Sequence, residues 1–343
     1  MLIMRLCCWN YALPLAVTMA LVWPLTMRAQ SCTTESEMTP AQRDLYVQAA
    51  RSLGTEILAG NTAAVQANTV APVAAQFSAI AESIQQISPL VRNATLTIDA
   101  LYNLNSLELR SNGGSNSSAN QTQFFCSVPN SALLVTVTIP SLPVGNYLLA
   151  ILHATGVEQP QQVTLLLQND SHGSSSWKLA GLYVRAMTAA GHGGVWYWKK
   201  ARDFAANRQN WNAFFYYQTA IFLLNPVDFL SSPNLEKLLK EEQEVMPAGL
   251  PGKQSMIVNA GGQSLDVTGL RTDTFSGELD LVVDYQAEGV TDPVSTRAQI
   301  VSLMKALLAA HPELRTGFHG LWVYAHYSNG QSFAIELPMN QIE

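Results

Sequence analysis

A nearly uncharged run over residues 11–27 opens the chain, and beyond it the spacing of apolar positions changes repeatedly. Thr39-Pro40 reads as an N-cap with proline at the first helical position, and Leu45, Ala49, Leu53 and Leu58 form an apolar stripe that Gly60-Asn61 ends. Residues 63–69 and 73–87 are further helices, the second stopped by Ser88-Pro89. From Ala94 the pattern alternates, which predicts strands at 94–102, within 124–139, and at 145–155, 161–167 and 177–186, with a Gly/Ser/Asn loop at 111–121. Gly191, Gly193 and Gly194 mark a boundary, after which the helical period returns and continues into a helix at 234–245. A Pro/Gly linker at 247–253 precedes strands at 255–259, 264–270 and 277–285. A helix at 296–310 turns Ile300, Leu303, Leu307 and Leu308 to the sheet, and His311-Pro312 closes it. The last two strands, 320–327 and 331–337, pair through Asn329-Gly330, a dipeptide suited to a type I′ turn because both of its central residues take positive φ.

Composition and charge narrow the class. The 343 residues are 48% hydrophobic and 13% charged, with four cysteines, which excludes coiled coil, collagen and disulfide scaffold; at roughly 150 residues per domain the length predicts about two globular units. A net charge of -6 with no Lys/Arg cluster excludes a nucleic-acid surface. Arg5, the run broken by Pro14 and Pro24, and then Arg28-Ala29-Gln30-Ser31 read as a secretory leader over residues 1–30 of the kind bacterial exported proteins carry. Ala29 and Ser31 suit cleavage before Cys32, and cleavage just after Ala29 is the alternative. The expected location is periplasmic or extracellular. Cys7 and Cys8 leave with the leader, so Cys32 and Cys126 remain as an even pair: a disulfide, two free thiols or, at Cys32, a lipid-modified N-terminus. Ala29-Gln30-Ser31-Cys32 lacks the Leu that a lipoprotein box usually carries three residues before its Cys, which favours the first two.

Helices followed by several long antiparallel strands over residues 36–187 resemble the NTF2/cystatin-like α+β fold, in which a curved sheet wraps around the helices and often leaves a pocket. The resemblance implies such a pocket here. Some NTF2-like enzymes place an Asp/His pair inside it, but Asp170-Ser171-His172-Gly173 falls in a hairpin loop, and the sequence assigns no such pair to the interior. In residues 194–246, Tyr197, Ala201, Phe204, Ala213, Tyr217 and Ala220 fall on the large and small positions of a tetratricopeptide repeat, with Pro226 one residue late. This resemblance implies two closely packed antiparallel helices, and a single unit must bury its outer face against the sheet, other helices or a partner. With a small C-terminal α+β domain at 254–343, the expected fold is α+β in three parts.

The candidate chemistry is sparse. Trp196, Trp198, Trp211, Phe214, Phe215, Tyr216 and Tyr217 invite a sugar-stacking reading, yet their helical spacing favours a core. Lys199, Lys200 and Arg202, and the acidic Glu241, Glu242 and Glu244, read as a solvated helix surface. On the strand at 277–285, Leu279, Leu281, Val283 and Tyr285 share one face and Glu278, Asp280 and Asp284 the other. Those carboxylates, with His319 and His326 if their strand is adjacent, form the best constellation for metal or acid–base chemistry, although alternation by itself places acids on an exposed face. His153, His172, His192 and His311 have no partner at ligand spacing. GxSxG, HExxH, CxxC, the Walker loop and a GxGxxG after a strand are missing. Sequons start at Asn93, Asn116, Asn120 and Asn169.

These patterns predict an exported, non-catalytic binding or scaffold protein of the cell envelope, without cofactor or metal. Its candidate contact surface is Trp196, Trp198, Lys199, Lys200 and Trp211 together with the sheet face, and its partner is an envelope protein or a small ligand. A membrane is touched only through the leader or a lipidated Cys32. The alternative is a small-ligand-binding or hydrolytic enzyme that uses an N-terminal NTF2-like pocket.

Overall fold

The computed structural model describes residues 30–106, 121–127, 131, 133–169, 176–288 and 292–343. The leader, most of the 111–121 loop, the Asp170–Gly173 loop and the sequons at Asn116 and Asn120 lie outside the described residues. The chain is a mixed α+β protein.

Strand β1 (Gln30–Thr34) precedes four helices: α1 (Pro40–Leu58), α2 (Thr62–Ala67), α3 (Ala71–Ala74) and α4 (Ser78–Val91). Thr39 closes a capping box on α1, its hydroxyl accepting from the Gln42 backbone N–H while the Gln42 side chain accepts from the Thr39 N–H. Helix α4 runs past the expected stop and carries Pro89 inside it. Proline so close to the end removes only one helical hydrogen bond, and the extension places Val91 in a fully buried contact with Leu58 and Ala154.

Six strands follow: β2 (Thr95–Asn105), β3 (Thr122–Ser127), β4 (Leu134–Ile139), β5 (Asn146–Thr155), β6 (Gln161–Asn169) and β7 (Trp177–Ala186). A two-stranded ribbon, β8 (Thr188–Ala189) with β9 (His192–Gly193), leads into α5 (Gly194–Ala206), α6 (Asn210–Leu224), the short β10 (Leu230–Ser231) and α7 (Pro233–Val245). The first sheet is strongly curled, in the order β10-β4-β3-β1-β2-β5-β6-β7. β1 sits in its middle, antiparallel to β2 and parallel to β3. Its sequence, Gln-Ser-Cys-Thr-Thr, has no apolar alternation, so nothing local announced it as a strand. Helices α1 and α4 cover one face, where Ala50, Leu53, Ile57 and Ile84 meet Leu148, Ala150, Leu152, Val163 and Leu165. The other face packs Tyr147, Leu149, Ile151 and Leu166 against Val227, Leu230 and Leu235. The side on which the NTF2-like resemblance implied a pocket is thus occupied by core side chains.

The second sheet is β11 (Met256–Ala260), β12 (Gln263–Phe275), β13 (Glu278–Ala287), β14 (Gly320–Tyr327) and β15 (Ser332–Pro338), side by side in that order. Helix α8 (Pro293–Ala310) and the short α9 (Leu314–Gly317) connect β13 to β14, its one parallel pair. Ile300, Leu303, Met304 and Leu307 of α8 pack on Leu281, Val283 and Tyr285, and the α5–α6 hairpin joins the same core through Tyr197, Phe215, Tyr216 and Phe318. The hairpin therefore buries its outer face on the second sheet, and residues 194–246 share one core with residues 254–343. Gly194 permits the hairpin's close approach, since a Cβ there would lie 2.5 Å from Leu224 Cγ.

The turns correct one expectation. At Asn329-Gly330 only Gly330 has positive φ (81°); Gly330 N donates to Tyr327 O and Tyr327 N to Gln331 O, which makes a type I turn followed by a glycine bulge. The type I′ pattern, with two successive positive φ values, occurs instead at Ser276-Gly277 between β12 and β13.

Candidate functional site: a cavity on the first sheet and a polar face on the second

A cavity of about 310 Å³ lies between the first sheet and helices α5–α7. Its apolar walls include Ala100, Val135 and Ile151 from the sheet and Leu224, Leu235 and Leu238 from the helices. Polar groups come from both sides, Asp99, Tyr102 and Gln162 from the sheet and Trp198, Ser232 and Asn234 from the helical side. Asp99 is the extra residue of a β-bulge on β2, since Ile98 faces Leu152 and Ala100 faces Ile151 while Asp99 has no partner on β5. Alternation from Leu96 and Ile98, which pack on the helix side, already turns Asp99 to the cavity, and the bulge brings Ala100 to the same face. His153 stands between two lining residues, donating from Nε2 to Gln162 Oε1 (3.1 Å), with its Nδ1 3.8 Å from Asp99. Gln162 is 8% exposed, and its Nε2 has no hydrogen-bond partner. Tyr102 on the same wall has its hydroxyl pKa raised, first by burial and then by Asp99.

His153 was expected to be isolated, and the sequence placed no Asp/His pair in an interior. Strand pairing brings Asp99 and His153 together across 54 positions, a separation at which ligand spacing carries no signal.

The aromatic hairpin divides into core and rim. Trp211 is buried (6% exposed) against His311, whose pKa burial lowers. Trp196 is half-buried and stacks on His192 with ring centroids 3.8 Å apart. Trp198 lines the cavity and donates from Nε1 to Glu241 at 2.7 Å. Lys199 and Lys200 are exposed on the far side of α5. Of the five candidate contact residues, then, Trp211 belongs to the core and offers no surface, Trp196 and Trp198 are half covered, and the two lysines face solvent.

The charged runs on α5 and α7 are more than a solvated surface. Arg202 clamps Glu241 with two hydrogen bonds of 2.7 Å and lies over the Trp198 ring; Arg202, then Trp198, holds the Glu241 carboxyl below the usual range. Glu242 is buried, and burial raises its pKa.

The acids and histidines on the second sheet meet because β14 lies beside β13, which alternation alone leaves open. β13 and β14 are parallel neighbours, and α8 and the hairpin cover only the Leu281/Val283 face. On the opposite face, His319 Nδ1 lies 3.2 Å from Asp280 and His326 Nε2 lies 2.7 Å from Asp284. Asp284 also pairs with Arg271 on β12. Asp280 is 1% exposed, and burial raises its pKa although its hydrogen bond from His319 opposes the shift. Phe275, Trp322, Tyr324 and His326 form a row of stacked rings across this face. Glu278 takes no part in either pair, whereas Glu336 of β15, which carried no signal, lies directly opposite Trp322 and within reach of Asp280 and His319.

Cys32 and Cys126 are joined by a disulfide that ties β1 to the β3–β4 hairpin. The bridge uses the thiol that a lipid anchor on Cys32 would need. Among the described residues no helix is long and apolar enough to cross a membrane. Comparison of the chain with known protein families, with curated proteins and with solved structures finds no match.

Proposed function

We propose that this chain is an exported binding protein that holds a small, largely apolar molecule in the cavity between the first sheet and α5–α7. The leader-like N-terminus supports export, and the cavity supports the rest. The observation that carries the reading is the unpartnered Gln162 amide, buried in the lining of a cavity whose volume falls at the small end of ligand sites. A buried N–H without a partner costs about 1–3 kcal/mol, and a ligand acceptor placed there recovers it. The ligand this chemistry fits has an apolar body and one polar end that accepts from Gln162 and donates to Asp99.

Binding is favoured over catalysis by how the lining hydroxyls are used. Ser232 caps α7, accepting from the Leu235 N–H, and Tyr102 is held protonated by its surroundings, so neither is a ready nucleophile. An envelope scaffold that works through the hairpin aromatics has less support, because most of those rings fill the shared core.

The test is a fluorescence titration with 2-naphthol, a probe with an apolar body and one hydroxyl. Saturable binding at one site, weakened at least about tenfold in Ala100→Trp and in Gln162→Leu, is the expected result. Absence of saturable binding, or equal binding by Ala100→Trp, overturns the reading.

A further inference from the structure

The open face of the second sheet holds a group of side chains that ligand binding in the cavity does not use. Asp280 on β13, His319 just before β14 and Glu336 on β15 each bring a donor atom within 4.8 Å of the other two. Register explains the convergence: β13 and β14 run parallel with Leu281 beside Leu321, and Trp322 faces Glu336 across the β14–β15 pair. Three strands thus deliver one imidazole and two carboxylates to one end of the open face.

Three observations mark this group as more than an acidic surface. Glu336 Oε1 is shielded from solvent and has no hydrogen-bond partner, a costly state for a carboxylate oxygen. Asp280 is 1% exposed, with His319 and the Gly320 backbone N–H as donors to it. Gly320 lies next to both carboxylates: a Cβ there would come 2.8 Å from the Leu337 carbonyl oxygen, 3.0 Å from Glu336 Oε1 and 3.2 Å from Asp280 Oδ1, so any other residue would crowd the strand and the two acids together. Trp322, stacked on Phe275 at 3.9 Å, stands opposite Glu336, and His319, its side chain 44% exposed, leaves the group open to solvent.

We propose that Asp280, His319 and Glu336 bind a divalent first-row cation such as Zn²⁺ or Mn²⁺. The donor set is the one expected for such ions, which accept imidazole nitrogen together with carboxylate oxygen. The 3.2 Å between His319 Nδ1 and Asp280 Oδ1 is already the separation of two donors that share one ion at about 2.0–2.2 Å each. Glu336 lies on the edge strand β15 with its donor atom within 4.8 Å of the other two, so its side chain moves inward to complete the set. A cation supplies Glu336 Oε1 with its missing partner and offsets the repulsion of two carboxylates in a partly dry site. It binds independently of the cavity, since no residue is shared between them.

The test strips the full chain with chelator and titrates it with Zn²⁺ and, separately, Mn²⁺ by calorimetry, with the thermal midpoint as a second reading. The expected result is one equivalent bound and a raised midpoint, with affinity reduced at least about tenfold in Glu336→Gln and in His319→Ala. His319 is half exposed, so His319→Ala keeps the test open if Glu336→Gln fails to fold. X-ray absorption of the zinc form should then show nitrogen and oxygen ligands with the scattering of one imidazole. Failure of both ions to bind overturns the proposal, as does binding that His319→Ala leaves unchanged.

Discussion

The two sheets are built on opposite plans. In the first sheet β5 and β6, with α1 and α4 on one side and residues 227–235 with the cavity on the other, are almost continuously buried, whereas β3 and β4 alternate. In the second sheet the helices cover one face, and from Leu321 onward β14 alternates between buried and half-buried positions. Strands dry on both sides give up the period of two, and the polar residues they hold, Gln162 and Thr164 on β6, are buried within a regular ladder. Strands dry on one side keep the period and sort acids and histidines onto the open face. The difference teaches where to look for chemistry: at buried polar groups in the first sheet and along the open face of the second.

The largest effect should come from the first sheet's crosslink. Replacing both cysteines, Cys32→Ser with Cys126→Ser, should cost about 4 kcal/mol in chemical denaturation, because the bridge closes a loop 94 residues apart in sequence and holds β1 in the sheet's centre. A loss below about 1 kcal/mol would mean that β1 stays in place without it. Next, Leu165→Ala in β6 should cost about 3 kcal/mol, since the side chain is fully buried in a core with little room to collapse. The matching truncation Val294→Ala on the exposed first turn of α8 should change stability by less than about 0.5 kcal/mol. Equal losses would erase the contrast between core and open surface.

A smaller effect with a diagnostic sign belongs to Asp280. Its folded pKa is raised above the ordinary 3.8, so the protonated form contributes stability that is fully present below that value and is lost as the pH rises through the folded value. Asp280→Asn should remove this loss. The difference between variant and wild-type stability, measured with chelator present, should therefore grow with pH above about 4 in favour of the variant. A constant difference would show that Asp280 is not held in the protonated form by burial. Among the destabilising changes the mildest is Gly330→Ala, which forces alanine to φ 81° and should cost about 1 kcal/mol without altering the open face.

Legibility in the sequence follows the same division. The α1 cap, the helix at α8, the β14–β15 hairpin and the shared face of Asp280 and Asp284 could be read because each rests on local spacing: three residues for a cap, 3.6 for a helix face, two for a strand face. That the two histidines meet these acids depends on β14 lying beside β13. β1 could not be read either, since a polar pentapeptide becomes a strand only when β2 and β3 offer it hydrogen bonds on both sides. Nor could the fate of the hairpin aromatics be settled, because helical spacing says that Trp211 and Phe215 share a surface but not what covers it. Glu336 was silent for the same reason: its neighbours His319 and Asp280 are distant in the chain, and only the strand order makes them adjacent.

By itself, then, the sequence determined the mixed α+β class, the order of most elements and the two-faced character of β13, all consequences of steric and hydrophobic preferences that act over a few residues. The tertiary structure alone decided which strand sits beside which, where the cavity opens and which donors meet. Those depend on chain closure over dozens of residues, whose free energy is settled by the packing of whole faces and leaves no local mark.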